Sequence, residues 1–123
     1  MFIRGRILQS GAAFDETLGV GTANGGGEDT EFALRAYLAS RQSIYLPAPV
    51  IGHRDKTPEL RPKYYRGGLI VLARYAPYRP RIGLELIRKV AVGLWLVATR
   101  QLAVAAFSKA IAAALRSRRP AAA

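Results

Sequence analysis

Apolar positions change period several times along the chain, and those changes mark its predicted elements. Phe2, Ile3, Ile7 and Leu8 read as a short strand closed by a turn at Ser10-Gly11. Residues 19–27 are glycine-rich, and a helical pattern follows over residues 30–40. Asp29 or Thr30 is placed to cap that helix, Glu31 lies four residues before Arg35, and Phe32, Leu34, Tyr37 and Leu38 supply apolar contacts on one broad side. Ser43-Ile44-Tyr45-Leu46 has strand character, Pro47-Ala48-Pro49 enforces extended backbone, and Val50-Ile51-Gly52-His53 continues it. After a polar stretch, residues 63–75 predict a helix that Gly67-Gly68 weakens, and Pro77 and Pro80 interrupt the chain again.

From residue 82 to 116 the pattern is helical and strongly apolar. Residues 90–108 carry only Arg100 and small polar residues against it, with Arg88-Lys89 and Lys109 at the two sides. A spanning helix needs about 20 mostly apolar residues, and a mid-bilayer arginine costs about 3 kcal/mol. The uninterrupted apolar run, residues 90–98, is much shorter, so an interfacial or packed helix is expected in place of a transmembrane one. Residues 117–123 read as a frayed tail.

Charge sharpens the division. The chain of 123 residues carries 19 basic and 8 acidic side chains, a net charge of +11. Residues 1–31 hold five acids against two arginines, or −3, which leaves +14 on the rest. Such an excess points to a polyanionic partner: nucleic acid, anionic lipid or a phosphorylated ligand. Half of the residues are hydrophobic, which excludes a disordered composition. With no cysteine, disulfides and thiolate metal sites are excluded as well. No signal-peptide pattern is visible at Met1-Phe2-Ile3-Arg4.

The candidate chemistry lies in Gly25-Gly26-Gly27-Glu28-Asp29. Glycine is used where backbone adopts positive φ or approaches something closely. A run of it that ends on two carboxylates at a helix start reads as a site more readily than as a spacer. The plainer reading is open beside it: helix-terminal acids favoured by the macrodipole, each worth less than ~1 kcal/mol. Asp15 and Glu16 read as turn-forming or loop-anchoring, Arg35 as a salt-bridging helix residue, and a lone His53 after a strand as a hydrogen-bonded structural residue.

Residues 14–53 resemble the C-terminal half of the catalytic domain of family 2 glycosyltransferases, which have the GT-A fold. The matching positions are Phe14-Asp15-Glu16, Leu18-Gly19 with Gly21-Thr22, Gly27-Glu28-Asp29, Glu31, Arg35, Ile44-Tyr45-Leu46-Pro47 and Val50 through His53. The resemblance implies an α/β fragment: the C-terminal portion of a GT-A domain over residues 1–55, with short strands and an acceptor-side helix. A basic and aromatic linker or short helix (56–81) and an amphipathic to apolar helical region (82–123) would follow. It implies inverting transfer of a sugar from a nucleotide-sugar donor to an acceptor hydroxyl. Asp29 is then the general base, Glu28 a contact to the acceptor, and Gly21, Thr22, Gly26 and Gly27 the substrate-binding positions. His53 is a contact to a divalent metal (Mg or Mn) or to the diphosphate.

These enzymes hold the nucleotide with an N-terminal α/β half that ends in Asp-x-Asp, and no Asp-x-Asp occurs here. The chain is therefore expected to be a fragment or one half of a split enzyme, to need a missing N-terminal half or partner chain, and to show no turnover alone. The basic residues from Arg54 to Arg81 are interleaved with Tyr64, Tyr65, Tyr75 and Tyr78, a composition suited to nucleic acid, to a membrane interface or to plain solvation. The apolar helix that follows favours an anionic membrane surface over nucleic acid. That agrees with the lipid-linked acceptors common in the family and predicts a cytoplasmic protein held at the inner face of the membrane. The alternative class is a small non-catalytic basic protein that binds a membrane surface or nucleic acid.

Overall fold

A computed structural model describes residues 13–19, 21–42, 44, 59 and 61–117. Four α-helices carry the architecture: α1 (Glu28–Ala39), α2 (Arg61–Tyr75), α3 (Pro80–Ala98) and α4 (Val104–Arg116), with one 3-10 turn (Ala76–Tyr78) between α2 and α3. Among the described residues 72% are helical and none is in a strand, which overturns the expected α/β fragment. The physical reason is visible in α2. The helix expected over residues 63–75 runs over the 15 residues Arg61–Tyr75 and supplies the centre of the packing, so helices, not a sheet, cover one another. Ile44 belongs to no regular element, while the expected strands around residues 2–8, 45–46 and 50–53 lie outside the described residues.

The core is built around one side of α2. Leu69, Ile70 and Val71 are fully buried there, with Ala73 beside them. Leu69 and Ala73 meet Leu96, Leu102, Ala110 and Ala114, whereas Ile70 and Val71 meet Leu18 and Ala113. Small residues decide how close the helices come. Gly93 of α3 lies where a Cβ would run into the Tyr65 ring and Phe107, so α2, α3 and α4 converge on a glycine.

Proline explains both breaks around the 3-10 turn, and Pro80 opens α3 at a first-turn position that needs no amide donor. The single apolar helical region expected over residues 82–116 is instead two helices. At the end of α3 the Gln101 amide donates to the Leu96 carbonyl at 2.8 Å and the Arg100 amide to Val97 at 3.0 Å. That pairing requires a left-handed residue between, and Arg100 supplies it at φ +58°. Leu102 is then turned into the core and the chain reverses into α4.

α1 begins two residues earlier than its polar pattern predicts. Gly27, not Asp29 or Thr30, occupies the cap at φ +101°, without a side-chain cap. Phe32 and Ala36 are buried, while Tyr37, expected in the apolar contact, is half exposed because it lies on the far side of the helix.

Candidate functional site

The glycine run owes its conformation to the helix beneath it. Gly19, Gly21, Gly25, Gly26 and Gly27 all have positive φ. The last three step along α2: a Cβ on Gly25 would meet Lys63, one on Gly26 would meet Tyr64, and one on Gly27 would lie 2.9 Å from the Gly67 carbonyl. From the other side, a Cβ on Gly67 would overlap the Gly26 carbonyl oxygen. Two backbones thus touch at Gly26 and Gly67, and the missing side chains are accounted for by that contact. Gly21 differs. It is exposed, with nothing within 4 Å of an added Cβ.

Short hydrogen bonds hold the loop. Thr22 Oγ1 donates to the Gly19 carbonyl at 2.9 Å and accepts from the Gly25 amide at 3.2 Å. Asn24 donates to the Thr17 carbonyl at 2.9 Å and accepts from Arg66 of α2 at 3.4 Å. Asp15 closes the preceding turn: its Oδ1 accepts from the Thr17 amide at 2.9 Å and its hydroxyl at 2.6 Å, and its Oδ2 pairs with Arg74 at 2.5 Å. Burial alone raises the Asp15 carboxyl, but the Thr17 and Arg74 hydrogen bonds and the Arg74 charge outweigh it and leave its pKa below the ordinary value. Asp15 is thus a loop anchor, as its position suggests.

The carboxylates at the mouth of α1 diverge. Glu28 is partly buried and turned back so that its carboxylate lies 3.5–3.7 Å from where a Gly19 Cβ would be. Asp29 is exposed and takes part in no hydrogen bond or ion pair recorded among the described residues. It is open to solvent, whereas Glu28 is partly buried beside Gly19 and Glu31 is buried.

Glu31 is the acid that sequence reasoning undervalued. It is 4% exposed, accepts from Tyr75 Oη at 2.5 Å on one oxygen and pairs with Arg35 at 3.0 Å on the other. A buried carboxylate left unpaired costs several kcal/mol, so this network ties α1 to the end of α2. Arg35 reaches further, donating to the Ala13 carbonyl at 2.6 Å, with Phe14 stacked on Phe32 beneath it. Tyr75 and Arg74, the partners of Glu31 and Asp15, went unnoticed in the sequence because they lie 44 and 59 residues away. Gly67 did leave a signal: a glycine in the middle of an otherwise good helix costs about 1 kcal/mol and asks for a reason.

The pKa of Tyr75 is pushed up to about 12 by burial and by its hydrogen bond to the Glu31 carboxylate, from an ordinary 10.0. The neutral phenol therefore contributes its full stabilisation below pH 10. As pH rises from 10 toward 12 only the unfolded chain ionises, and stability falls. Tyr75→Phe is expected to lower stability near neutrality and to remove this part of the alkaline loss. Urea unfolding followed across that window tests it; an alkaline slope identical in both proteins would show that Tyr75 does not carry it.

His53, the expected metal contact, lies outside the described residues. Among the described residues no three His, Asp or Glu side chains gather closely enough to hold a metal ion. The tyrosines of residues 56–81 do not form one stacking surface: Tyr65 is buried with its hydroxyl on the Lys89 carbonyl, Tyr75 serves Glu31, and only Tyr64 and Tyr78 are exposed. A groove of about 240 Å³ between α2 and α3 is lined by Tyr65, Leu72, Glu85, Arg88, Lys89 and Val92, none of them from the glycine loop or α1. No helix among the described residues is long and apolar enough to cross a membrane. No protein-family model matches the chain, and no curated protein or solved structure matches it either.

Proposed function

We propose that the segment from Phe14 to α1 is the acceptor side of a family 2-like glycosyltransferase, with Asp29 as its general base. The observation that carries this reading is the exposed, unpaired carboxylate of Asp29 at the start of a helix where Glu28 is partly buried and Glu31 is held by Tyr75 and Arg35. Its backbone support is firm: the loop before it is docked on α2 and the helix behind it is tied down by Glu31. In the reaction an acceptor hydroxyl attacks the anomeric carbon of the donor. A carbon–oxygen bond forms, the bond from sugar to nucleoside diphosphate breaks, and the hydroxyl proton passes to the Asp29 carboxylate. Glu28 and the exposed backbone at Gly21 would contact the acceptor. The donor half, including any divalent metal, would come from an additional α/β segment or a partner chain.

The test is transfer of labelled sugar from nucleotide-sugar donors to soluble and lipid-linked alcohols, run on this chain alone and on the polypeptide that supplies an Asp-x-Asp half. Transfer is expected only in the second case. Turnover by the chain alone, or none when the donor half is present, would end this reading.

A second reading is a non-catalytic basic protein that works at a membrane surface, and a specific observation favours it: α3 leaves an apolar side uncovered.

A further inference from the structure

α3 is apolar on two sides, and only one of them is packed. Ile82, Gly93 and Leu96 face the other helices and are buried. On the opposite side Leu84, Ile87, Leu94 and Trp95 are 65%, 67%, 56% and 58% exposed, and the exposed Ala91 and Ala98 fill the helical spacing between and after them. A contiguous exposed apolar stripe of this kind marks an interaction surface. The charges around this stripe say what covers it. Arg79 and Arg81 stand at its N-terminal end, Arg88 along one flank and Arg100 at its C-terminal end, all exposed. Only Arg88 has an acidic partner among the described residues, the exposed Glu85 at 3.3 Å. Residues 61–117 hold eleven basic side chains and one acid, a net +10.

We infer that the outer side of α3 is the surface by which this protein lies on an anionic lipid bilayer. The stripe needs an apolar phase and its arginines need anions. A second copy of the chain supplies the first and repels through the second. Nucleic acid supplies only the charge, and a neutral bilayer only the apolar phase. An anionic bilayer supplies both, with α3 parallel to the surface and the Trp95 ring at headgroup depth. Arg100 fits the same arrangement: it holds a left-handed position that glycine would fill more easily, and it places a cation where the helix leaves the stripe. The inference rests on α3 and its flanking arginines alone and is independent of any transferase activity.

Trp95 is the only tryptophan, so its fluorescence reports this surface directly. The full chain is titrated with vesicles of phosphatidylcholine alone and of phosphatidylcholine with phosphatidylserine, at low and high salt, and binding is checked by cosedimentation. A blue shift and cosedimentation are expected with the phosphatidylserine vesicles, about tenfold weaker without the anionic lipid or at high salt. Ile87→Glu and Leu94→Glu should each lower partitioning about tenfold or more. Because both side chains are exposed, helical circular dichroism should be unchanged. Arg81→Glu with Arg88→Glu should abolish the preference for anionic lipid. The inference is overturned by the absence of a shift on anionic vesicles or by Ile87→Glu and Leu94→Glu binding as well as the parent. A concentration-dependent blue shift without lipid, which indicates a second copy, or one produced by single-stranded DNA and not by vesicles, overturns it equally.

Discussion

Asp29→Asn is expected to lower sugar transfer about 10²–10⁴-fold in the polypeptide that carries the donor half, while donor affinity stays as it was. Asparagine keeps the size and hydrogen-bonding reach of the side chain but cannot take a proton at neutral pH. Asp29 is exposed and no other group among the described residues depends on it, so the fold loses only what an acid contributes to a helix N-terminus, about 0.3–1 kcal/mol. The loss should therefore fall on kcat, with the donor Kd from calorimetry unmoved. Transfer that survives within about tenfold of the parent rate, a shortfall below the usual range for a general base, removes Asp29 from that role.

Gly67→Ala should be clearly more destabilising than Gly68→Ala although they are the same substitution at adjacent positions of one helix. At Gly67 the new methyl meets the Gly26 carbonyl, which is backbone and has nowhere to retreat. Overpacking of this kind costs about 1–3 kcal/mol, more than the ~1 kcal/mol that alanine gains in helix propensity. At Gly68 the methyl meets Lys89 Nζ, the far end of a flexible chain that also lies 5.6 Å over the Tyr65 ring. That chain end can shift where backbone cannot, so Gly68→Ala should cost much less than Gly67→Ala. Gly67→Ala has a second consequence: the loop lifts off α2 and carries the mouth of α1 with it, so transfer falls as well as the urea midpoint. Equal midpoints for the two variants would show that the docking at Gly67 contributes nothing.

Much of this was legible locally. The helix after the glycine run, its acidic first turn and the Glu31–Arg35 pair follow from spacing within a few residues, and all three are present in α1. The anchoring role of Asp15 was legible for the same reason, since the Thr17 contacts lie two residues away. What failed was the expectation of strands around an acceptor-side helix. β-branched and aromatic character marks a segment as fit for a pleated surface, yet it cannot supply the neighbouring strand, and the described residues pack helix on helix. The glycines misled in a different way. Positive φ was correctly foreseen for the run, but Gly25, Gly26 and Gly27 approach α2, and only Gly21 is left facing open space.

By itself the sequence determined the local terms: which stretches after the glycine run are helical, which ends are acidic or basic, and that no apolar run reaches bilayer length. Those depend on propensity, charge and period, which act over a turn or two of backbone. Only the tertiary structure decided which acids are occupied, Glu31 by Tyr75 and Asp15 by Arg74, and which is left open to solvent. It also decided which of two apolar sides of α3 is spent on the core. Both outcomes are set by which distant surfaces meet, because a buried carboxylate needs its partner and a helix can turn only one side inward.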